Sequence, residues 1–382
     1  MRIAVLGAGA MGGAAARLLA RQDDVDLLVL DADPSRAEEV AAASPRASAG
    51  TAAIGSPSLT DALGDVQAVA ACIPYRLNLP VMEACLAAGV HYADLGGLFH
   101  TTLRQWELHE RFAQAGLSAV VGIGSAPGIT NVLARAGADR LDAGSVRTID
   151  CLNGAIDRSG AFGVPYSAAT IIDEFTLPAM VFEDGELREV PAASGAITHR
   201  FPDPIGEQEA FYTLHSEAAT LPRTIPGVRD VRWRLALPQV LADGFRLLVG
   251  LGLTEETPVE TSGGPVSPRE VLTRALAALP APSGPPQDVE AVEVLVTGTK
   301  DGRPATFTGT TLFRPSPEGI GAGTFGTALP IAVAARWMAD GRVPPGVHPP
   351  ETAFPADAFL EALVAGGVEA WTNLEERLAP PR

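Results

Sequence analysis

The chain has 382 residues, 47% of them apolar, which is more than one compact domain usually holds, so two domains with sizeable cores are expected. A net charge of −17 argues against a nucleic acid or an anionic membrane surface as partner. No apolar run reaches the roughly 18 residues of a membrane span. Three cysteines in no metal or disulfide spacing, and an N-terminus that enters a strand directly, predict a cytoplasmic protein without a bound metal.

A glycine-rich turn between a strand and a helix is the most informative pattern. Residues 2–6 predict a buried strand, and residues 7–12 then read GAGAMG, a G-x-G-x-x-G at the start of a helix. Glycines at this spacing allow a tight turn, close approach of the backbone to a pyrophosphate and close packing of the helix on the strand. The alternative is an ordinary glycine-rich turn. We expect a dinucleotide to bind at Gly7, Gly9, Ala10, Met11 and Gly12.

An acidic residue, Asp31, ends the second predicted strand. Its carboxylate can accept both ribose hydroxyls of NAD and would repel the 2′-phosphate of NADP. The alternative is that Asp31 caps the helix that starts near Pro34, although Asp33 could do the same. Arg36 could bind a 2′-phosphate. The expected cofactor is therefore NAD, and NADP stays open.

Strand and helix patterns alternate up to about residue 128. Strand-like runs lie at 3–6, 27–30, 68–73, 92–94 and 118–123, with helical runs at 34–43, 78–88 and 102–115. This alternation predicts a parallel sheet that binds ligands at the carboxyl ends of its strands. Beyond residue 130 the strand-like runs lack regular helices, which predicts a mainly antiparallel sheet, and a proline-rich linker is expected at 281–286. The expected fold class is α/β, a Rossmann domain with a parallel sheet plus an α+β domain.

Two further loops after predicted strands are expected to contact the cofactor. Pro74 and Tyr75 follow the strand at 68–73 and should lie along the ribose and nicotinamide half, unless the proline merely ends the strand. Pro127 lies in a loop of small residues before a helix, which suits packing against a nicotinamide ring. The alternative is that this second loop is only the crossing between the domains.

The turn after the strand at 92–94 is a candidate substrate site. Gly96 and Gly97 permit close approach of the backbone, and the carboxylate of Asp94 is placed where a substrate amine could bind. A turn that needs a positive φ explains the same glycines. Both interpretations are compatible.

The densest group of reactive side chains in the second half lies between residues 209 and 222. Histidine is the side chain best suited to proton transfer near neutral pH, so His215 is the expected general base. Tyr212 and Glu217 are expected to orient it or to bind the substrate amine. The alternative is a structural histidine. A lysine base is not expected, because the only lysine, Lys300, lies in a predicted hairpin turn.

Five segments together resemble the saccharopine dehydrogenase/reductase-like superfamily, most closely its lysine 6-dehydrogenase branch. They are residues 7–12, 94–97, 126–131, 218–222 and 346–351. The resemblance implies a Rossmann domain over residues 1–129 and 326–382, with an inserted substrate-binding and dimerisation domain over residues 130–325. It also implies a homodimer that oxidises or reduces the C–N bond of an amino acid, amine or cyclic imine with NAD(P).

Two other functions stay open. One is an opine-type reductase that condenses an amino acid with a keto acid. The other is a redox sensor that binds NAD(H) without catalysis. A requirement for a keto acid would favour the first, and tight NADH binding without turnover on any amine or imine would favour the second.

Asp31 predicts a preference for NAD over NADP, because its carboxylate repels a phosphate dianion a few ångströms away. We expect a higher kcat/KM with NAD when both cofactors are compared under the same conditions. Equal values would show that Arg36 compensates for the repulsion.

Overall fold

The computed structural model describes residues 1–159, 164, 166–279 and 284–376. Residues 281–283 of the proline-rich linker predicted at 281–286 lie outside the described residues. Residues 377–382, at the end of the segment 326–382 that was expected to belong to the Rossmann domain, also lie outside them. No helix within the described ranges is long and apolar enough to cross a membrane.

Helices alternate with strands in the first part of the chain, and strands dominate the middle part. The first part forms β1 (Arg2–Leu6), α1 (Ala10–Leu19), β2 (Asp26–Asp31), α2 (Pro34–Ala41), β3 (Ala47–Thr51), α3 (Pro57–Ala62), β4 (Ala68–Ala71), a 3₁₀ turn (Tyr75–Leu77), α4 (Asn78–Ala88), β5 (His91–Asp94), α5 (Leu98–Trp106), α6 (His109–Gln114) and β6 (Ser118–Val120). The middle part forms α7 (Ile129–Arg140), β7 (Thr148–Asp157), α8 (Ala168–Thr176), β8 (Ala179–Glu183), β9 (Glu186–Val190), β10 (Ile197–Phe201), β11 (Gly206–Tyr212), α9 (Glu217–Thr224), β12 (Asp230–Ala236), α10 (Gln239–Gly250), β13 (Val259–Thr261), β14 (Gly264–Val266), α11 (Pro268–Ala277), β15 (Asp288–Lys300) and β16 (Arg303–Phe313). The last part forms α12 (Ala322–Ala339), β17 (Gly346–His348), α13 (Pro350–Ala353), α14 (Ala356–Ala365) and β18 (Glu369–Glu376).

The first sheet has the strand order β17-β6-β5-β4-β1-β2-β3, and its neighbouring strands are parallel. Its central strands are almost entirely apolar, because both faces of a parallel sheet are covered. Ile3 and Val5 of β1 pack into the core on one face, and Ala4 and Leu6 pack into the core on the other. The Rossmann prediction for this part of the chain is confirmed.

The second sheet runs β10-β11-β12-β7-β15-β16-β18, with β8 joined to β12 and β9 joined to β8. Only β12 and β7 pair in parallel, and the other neighbours are antiparallel, as expected. The predicted hairpin at Lys300 is confirmed, since Asp301 and Gly302 both have a positive φ in the turn between β15 and β16.

The end of the chain contributes to both sheets. Helix α12 packs against α1, β4 and β5 on one side and against β15 and β16 on the other. Strand β17 then joins the first sheet beside β6. Strand β18 differs from the expectation that residues 326–382 belong with the Rossmann domain, because it pairs with β16 of the second sheet. This pairing satisfies the backbone groups along the outer edge of β16.

Two elements of the first half differ from the sequence prediction. Strand β3 was not expected, because its residues Ala47–Thr51 are small or polar and mostly exposed at the sheet edge. The single helix expected over 102–115 is two helices, α5 and α6, separated by a short turn.

Candidate active site

The loop between β1 and α1 has one glycine that faces open space and two that face protein. A Cβ on Gly7 would collide with the carbonyl oxygen of Cys72, and a Cβ on Gly12 would collide with the carbonyl oxygen of Gly7. A Cβ on Gly9 would meet no atom within 4 Å. Helix α1 begins at the next residue, and the N–H groups of its first turn have no partner within the helix. The loop therefore forms a cradle that fits a pyrophosphate.

Asp31 binds the backbone of this loop rather than capping a helix. Its Oδ2 accepts the N–H of Ala8 at 2.6 Å and its Oδ1 accepts the N–H of Asp33 at 2.9 Å. Asp33 caps α2 by accepting the N–H of Ser35. A carboxylate can accept about four hydrogen bonds, so Asp31 retains capacity for ribose hydroxyls beside the cradle. Arg36 lies against Asp33 at the surface.

Tyr75 lies at the junction between the two domains. Its hydroxyl donates a hydrogen bond of 2.9 Å to Asp173 in α8 of the second domain. Arg76 reaches the same carboxylate at 3.0 Å, and Arg269 of α11 reaches it at 2.5 Å. Asp173 is almost fully buried, and the two guanidinium groups balance the negative charge that burial would otherwise leave unpaired. The contacts predicted between the cofactor and the Pro74–Tyr75 turn stay predictions.

Asp94 is buried, and its hydrogen-bond capacity is taken up by neighbouring protein groups. Its Oδ1 accepts the N–H groups of Gly96 and Gly122, both at 2.8 Å. Its Oδ2 accepts the Tyr92 hydroxyl at 2.9 Å and the Gln105 amide at 2.5 Å. Burial raises the pKa of Asp94, and these hydrogen bonds offset part of the rise. The geometry supports a role in holding two loops in place and gives no support to the predicted contact with a substrate amine.

The two glycines after Asp94 and the predicted Pro127 pack against other parts of the protein. Gly96 has a φ of +125°, and a Cβ there would lie 3.0 Å from the ring of Pro127. Gly122 approaches the same ring as closely. A Cβ on Gly97 would lie 2.6 Å from an oxygen of Gln105. The turn explanation accounts for these glycines, and contact of Gly96 and Gly97 with substrate, like contact of Pro127 with cofactor, stays a prediction.

The second domain covers the carboxyl ends of β4, β5 and β6. After β4, Tyr75 binds Asp173, as described above. After β5, the start of α5 packs its apolar side chains against α9. After β6, Ser125 donates to Glu290 of β15 at 2.8 Å, and Thr130 donates to Glu217 of α9 at 2.8 Å. The second domain thus packs against the strand ends at which this fold binds ligands.

His215 lies in this junction with its ring held on two sides. Its Nδ1 is 2.6 Å from Oε2 of Glu217, and its ring stacks on Trp233 with the centroids 4.1 Å apart. A carboxylate only accepts hydrogen bonds, so Nδ1 carries the proton and Nε2 keeps its lone pair in the neutral ring. Within the described part of the chain, no side chain or backbone group is bonded to Nε2. His215 and Glu217 are therefore brought together as predicted.

Charges around His215 shift its titration. Burial would lower the pKa of His215, but the charge and hydrogen bond of Glu217 and the charge of Glu174 outweigh burial and raise it. Burial also raises the pKa of Glu174 to about 7, although the charge of His215 and a hydrogen bond from Tyr166 oppose the rise. The pKa of Glu174 thus lies close to neutral pH, and its charge is coupled to that of His215.

The prediction that Tyr212 is a neighbour of His215 is wrong. Tyr212 pairs with Arg234 across β11 and β12, and its hydroxyl accepts a hydrogen bond of 2.6 Å from that guanidinium. His215 stacks on Trp233, the residue before Arg234. Successive side chains of a strand point to opposite faces of the sheet, so Tyr212 and His215 lie on different faces. A catalytic role for Tyr212 has no support from this arrangement.

Sequence reasoning missed the acidic residues that line the junction. Asp173 and Glu174 are consecutive in α8, between Ile172 and Phe175, and both are buried. Two adjacent acids inside an apolar helical run are a signal that could have marked them, because buried carboxylates are rare without a function. Glu290 carries no such local signal. In the described residues, no group of three or more His, Cys, Asp and Glu could hold a metal ion.

A parallel Rossmann sheet with a pyrophosphate cradle, facing a histidine in a second domain, defines a nicotinamide-dinucleotide-dependent oxidoreductase. Residues 3–120 match the family model of the saccharopine dehydrogenase NADP binding domain, and residues 124–368 match that of the saccharopine dehydrogenase C-terminal domain. The chain belongs to the saccharopine dehydrogenase family and is an NAD(P)-dependent enzyme of it.

Two curated relatives and one solved structure are similar over most of the chain. Carboxyaminopropylagmatine dehydrogenase of Synechocystis sp. is 26% identical, with 80% of each chain covered. Carboxynorspermidine synthase of Vibrio cholerae is 26% identical and covers 79% of this chain and 76% of its own. Apo saccharopine dehydrogenase (L-Glu forming) from Saccharomyces cerevisiae has a TM-score of 0.75 at 17% identity, over 98% of this chain and 99% of its own, which shows a shared fold.

Gly9→Ala should weaken cofactor binding without harming the fold. The added methyl meets no protein atom, but it lies where the pyrophosphate passes. We expect the Kd for NADH to rise roughly tenfold or more in a fluorescence titration, with the melting temperature nearly unchanged. Gly12→Ala is the matched control, because its methyl collides with the backbone of Gly7 and should lower the melting temperature. Unchanged affinity in folded Gly9→Ala protein would overturn the assignment of this loop.

Proposed function

We propose that this enzyme transfers hydride between NAD(P) and the C–N bond of a positively charged amine or amino-acid substrate bound in the cleft between the domains. The observation that carries the proposal is His215, whose Nε2 has no hydrogen-bond partner within the described part of the chain and whose Nδ1 is held by Glu217, at a junction that contains further buried carboxylates. The names of both relatives refer to carboxylated derivatives of polyamine-like amines, which supports the same substrate class. NAD is the proposed cofactor on the evidence of Asp31, and the family model named for NADP keeps NADP in the comparison.

Glu174 and Glu290 lie in the junction without a cationic partner within ion-pair distance among the described residues. Glu174 accepts a hydrogen bond from the hydroxyl of Tyr166. Glu290 accepts hydrogen bonds of 2.8 Å from the hydroxyl of Ser125 and from the side-chain amide of Asn153. Burial raises the pKa of both acids. Burying a carboxylate without a counter-charge is unfavourable, and a protonated amine would supply that charge. This imbalance supports a cationic substrate over a neutral one.

The bound nicotinamide would supply the hydride chemistry, and the protein must orient the substrate and move one proton. The lone pair of His215 Nε2 accepts the proton of the substrate amine during oxidation, and the imidazolium returns it during reduction. Glu217 stabilises the imidazolium through Nδ1–H, and Trp233 fixes the plane of the ring. Lys300 takes no part, since it lies in the hairpin turn.

We also propose that the protein is a homodimer that acts on its substrate without nucleic acid or membrane partners. Helix α10 buries Leu241, Ala242 and Phe245 against the second domain and presents an opposite stripe of residues 240, 244, 247 and 251 to solvent. Successive residues of this stripe are 4, 3 and 4 positions apart, so the spacing is the same in either direction along the helix. Under a two-fold axis, residue 240 of one copy faces residue 251 of the other, and Gly244 receives the side chain of residue 247.

A substrate panel tests the proposed reaction. Initial rates of NAD(P)H formation or loss are measured with L-lysine, saccharopine, carboxyalkylated polyamines and uncharged amine analogues, in both directions. We expect a kcat/KM for the best dicationic amine roughly tenfold or more above its uncharged analogue, and Glu290→Gln should narrow that ratio. A strict requirement for a keto acid with a neutral amino acid would instead indicate the opine-type reaction. Tight NADH binding with no turnover would indicate a sensor.

His215→Ala should lower turnover by roughly a hundredfold or more and leave the Kd for NADH nearly unchanged. Histidine acts as a base only when it is neutral, so oxidation should fall as pH drops through the pKa of His215, which is raised from the usual histidine value. This fall should disappear in His215→Ala. Glu174→Gln is the companion variant, because it removes a charge that raises the pKa of His215 and should move the fall to lower pH. Normal turnover with an unchanged pH profile would make His215 a structural residue.

Leu247→Glu should separate the proposed dimer, because it places a charge opposite Gly244 of the second copy. Leu247 is 62% exposed, so the charge is harmless to the folded single chain. Light scattering after size exclusion should give the mass of two chains for the parent and of one chain for the variant. Val364→Glu, at an exposed apolar residue of α14, should leave the dimer intact. A parent that elutes as a single chain would refute the homodimer.

A further inference from the structure

Glu351 is a buried carboxylate far along the chain from the site, in the short helix α13 after β17. It is 2% exposed. One oxygen, Oε2, accepts the side-chain amide of Asn131 at 2.9 Å, and the other, Oε1, accepts the hydroxyl of Thr224 at 2.9 Å. No ion pair to it is found within the described ranges. The last segment of the chain is thereby bonded to the first turn of α7 and to α9.

Asn131, which binds Glu351, is the neighbour in sequence of Thr130, which binds Glu217. Asn131 and Thr130 are consecutive in the first turn of α7. The hydroxyl of Thr130 lies 2.8 Å from Oε1 of Glu217, whose Oε2 holds Nδ1 of His215 at 2.6 Å. A continuous chain of buried contacts therefore runs from Glu351 through Asn131, Thr130 and Glu217 to His215.

The orientation of the Asn131 side chain is what Glu351 decides. The NH₂ group of Asn131 donates to Glu351 and to Thr220, so its Oδ1 faces the other way and accepts the N–H of Gly128 at 3.1 Å. Oδ1 is also 3.2 Å from the hydroxyl of Thr130. A reversed amide would place N–H against the N–H of Gly128, two donors in contact, and would leave the acceptor Glu351 facing an oxygen.

We propose that Glu351 is a positioning residue for proton transfer, which acts by orienting Asn131 and so holding the first turn of α7 where Thr130 bonds to Glu217. The inference rests on the proposed function only for the role of His215, since the contacts themselves are independent of the substrate. When Glu351 is lost, Asn131 is released, the Thr130–Glu217 contact loosens, and Glu217 holds His215 less firmly. Glu351 itself touches neither the cleft residue His215 nor Glu217.

The test follows His215 directly rather than turnover. Histidine side-chain NMR, with the His215→Ala spectrum for assignment, gives the pKa of His215 in each variant without substrate. Glu351→Leu removes the acceptor of the Asn131 amide and should lower that pKa by roughly one unit, because a looser contact with Glu217 raises it less. Asn131→Ala should lower it by a similar amount, and the double variant by no more than either single change. Thr224→Val is the matched control, because it removes a contact of Glu351 that does not involve Asn131 and should leave the pKa of His215 unchanged.

Kinetics then distinguish the two proposals. If the substrate panel yields turnover, Glu351→Leu should lower kcat roughly tenfold, move the acid fall of the pH profile to lower pH and leave the Kd for NADH unchanged. A shifted His215 pKa without turnover on any substrate would support the positioning role and refute the proposed reaction. An unchanged His215 pKa in folded Glu351→Leu and Asn131→Ala proteins would overturn the positioning role. If Glu351→Leu fails to fold, Asn131→Ala decides the question alone.

Discussion

The hydrogen bond from Thr130 to Glu217 holds α9 against the first turn of α7, directly after the loop that follows β6 of the first sheet. Both side chains are fully buried, one in the first turn of α7 and the other at the first residue of α9. A carboxylate buried this deeply must keep its hydrogen bonds, because an unpaired buried charge is strongly destabilising. The bond therefore fixes the start of α9 beside the loop after β6, and Glu217 in turn fixes the ring of His215.

The junction is acidic, and its carboxylates are compensated in two ways. Asp173 is balanced by two arginines and Glu217 by His215. Glu174, Glu290 and Glu351 have only hydroxyl and amide donors within the described residues. The low polarity of the interior makes the effect of such differences on the pKa large, so carboxylates of one junction differ in their charge state.

The last part of the chain is needed for both domains. Helix α12 packs between the two sheets, β17 extends the first sheet and β18 extends the second. Between these elements, Glu351 reaches the first turn of α7 and α9. The saccharopine dehydrogenase fold thus closes its cleft with a segment that follows both sheets in sequence. The cleft residues are held from three separate parts of the chain, which explains why short motifs so far apart occur together.

What the sequence determined by itself is local. The pyrophosphate cradle at residues 7–12, the hairpin turn at Lys300, the alternation of the first sheet and the proximity of His215 to Glu217 all depend on residues a few positions apart, where spacing limits the geometry. The expectation that Tyr212 lies beside His215 was wrong. Tyr212 is the last residue of β11, and the alternation of side chains along the paired strands directs it to the face of the sheet opposite His215. Asp94 was correctly expected at a strand end, but only the fold showed that Gly96 and Gly122 take its oxygens.

Only the tertiary structure brought Glu174, Glu290 and Glu351 to the junction and joined β18 to the second sheet. These contacts link residues that are distant in the chain, and no periodicity records them. The physical reason is that a buried carboxylate acquires its pKa and its role from the partners that surround it, and those partners are assembled by packing rather than by sequence neighbours.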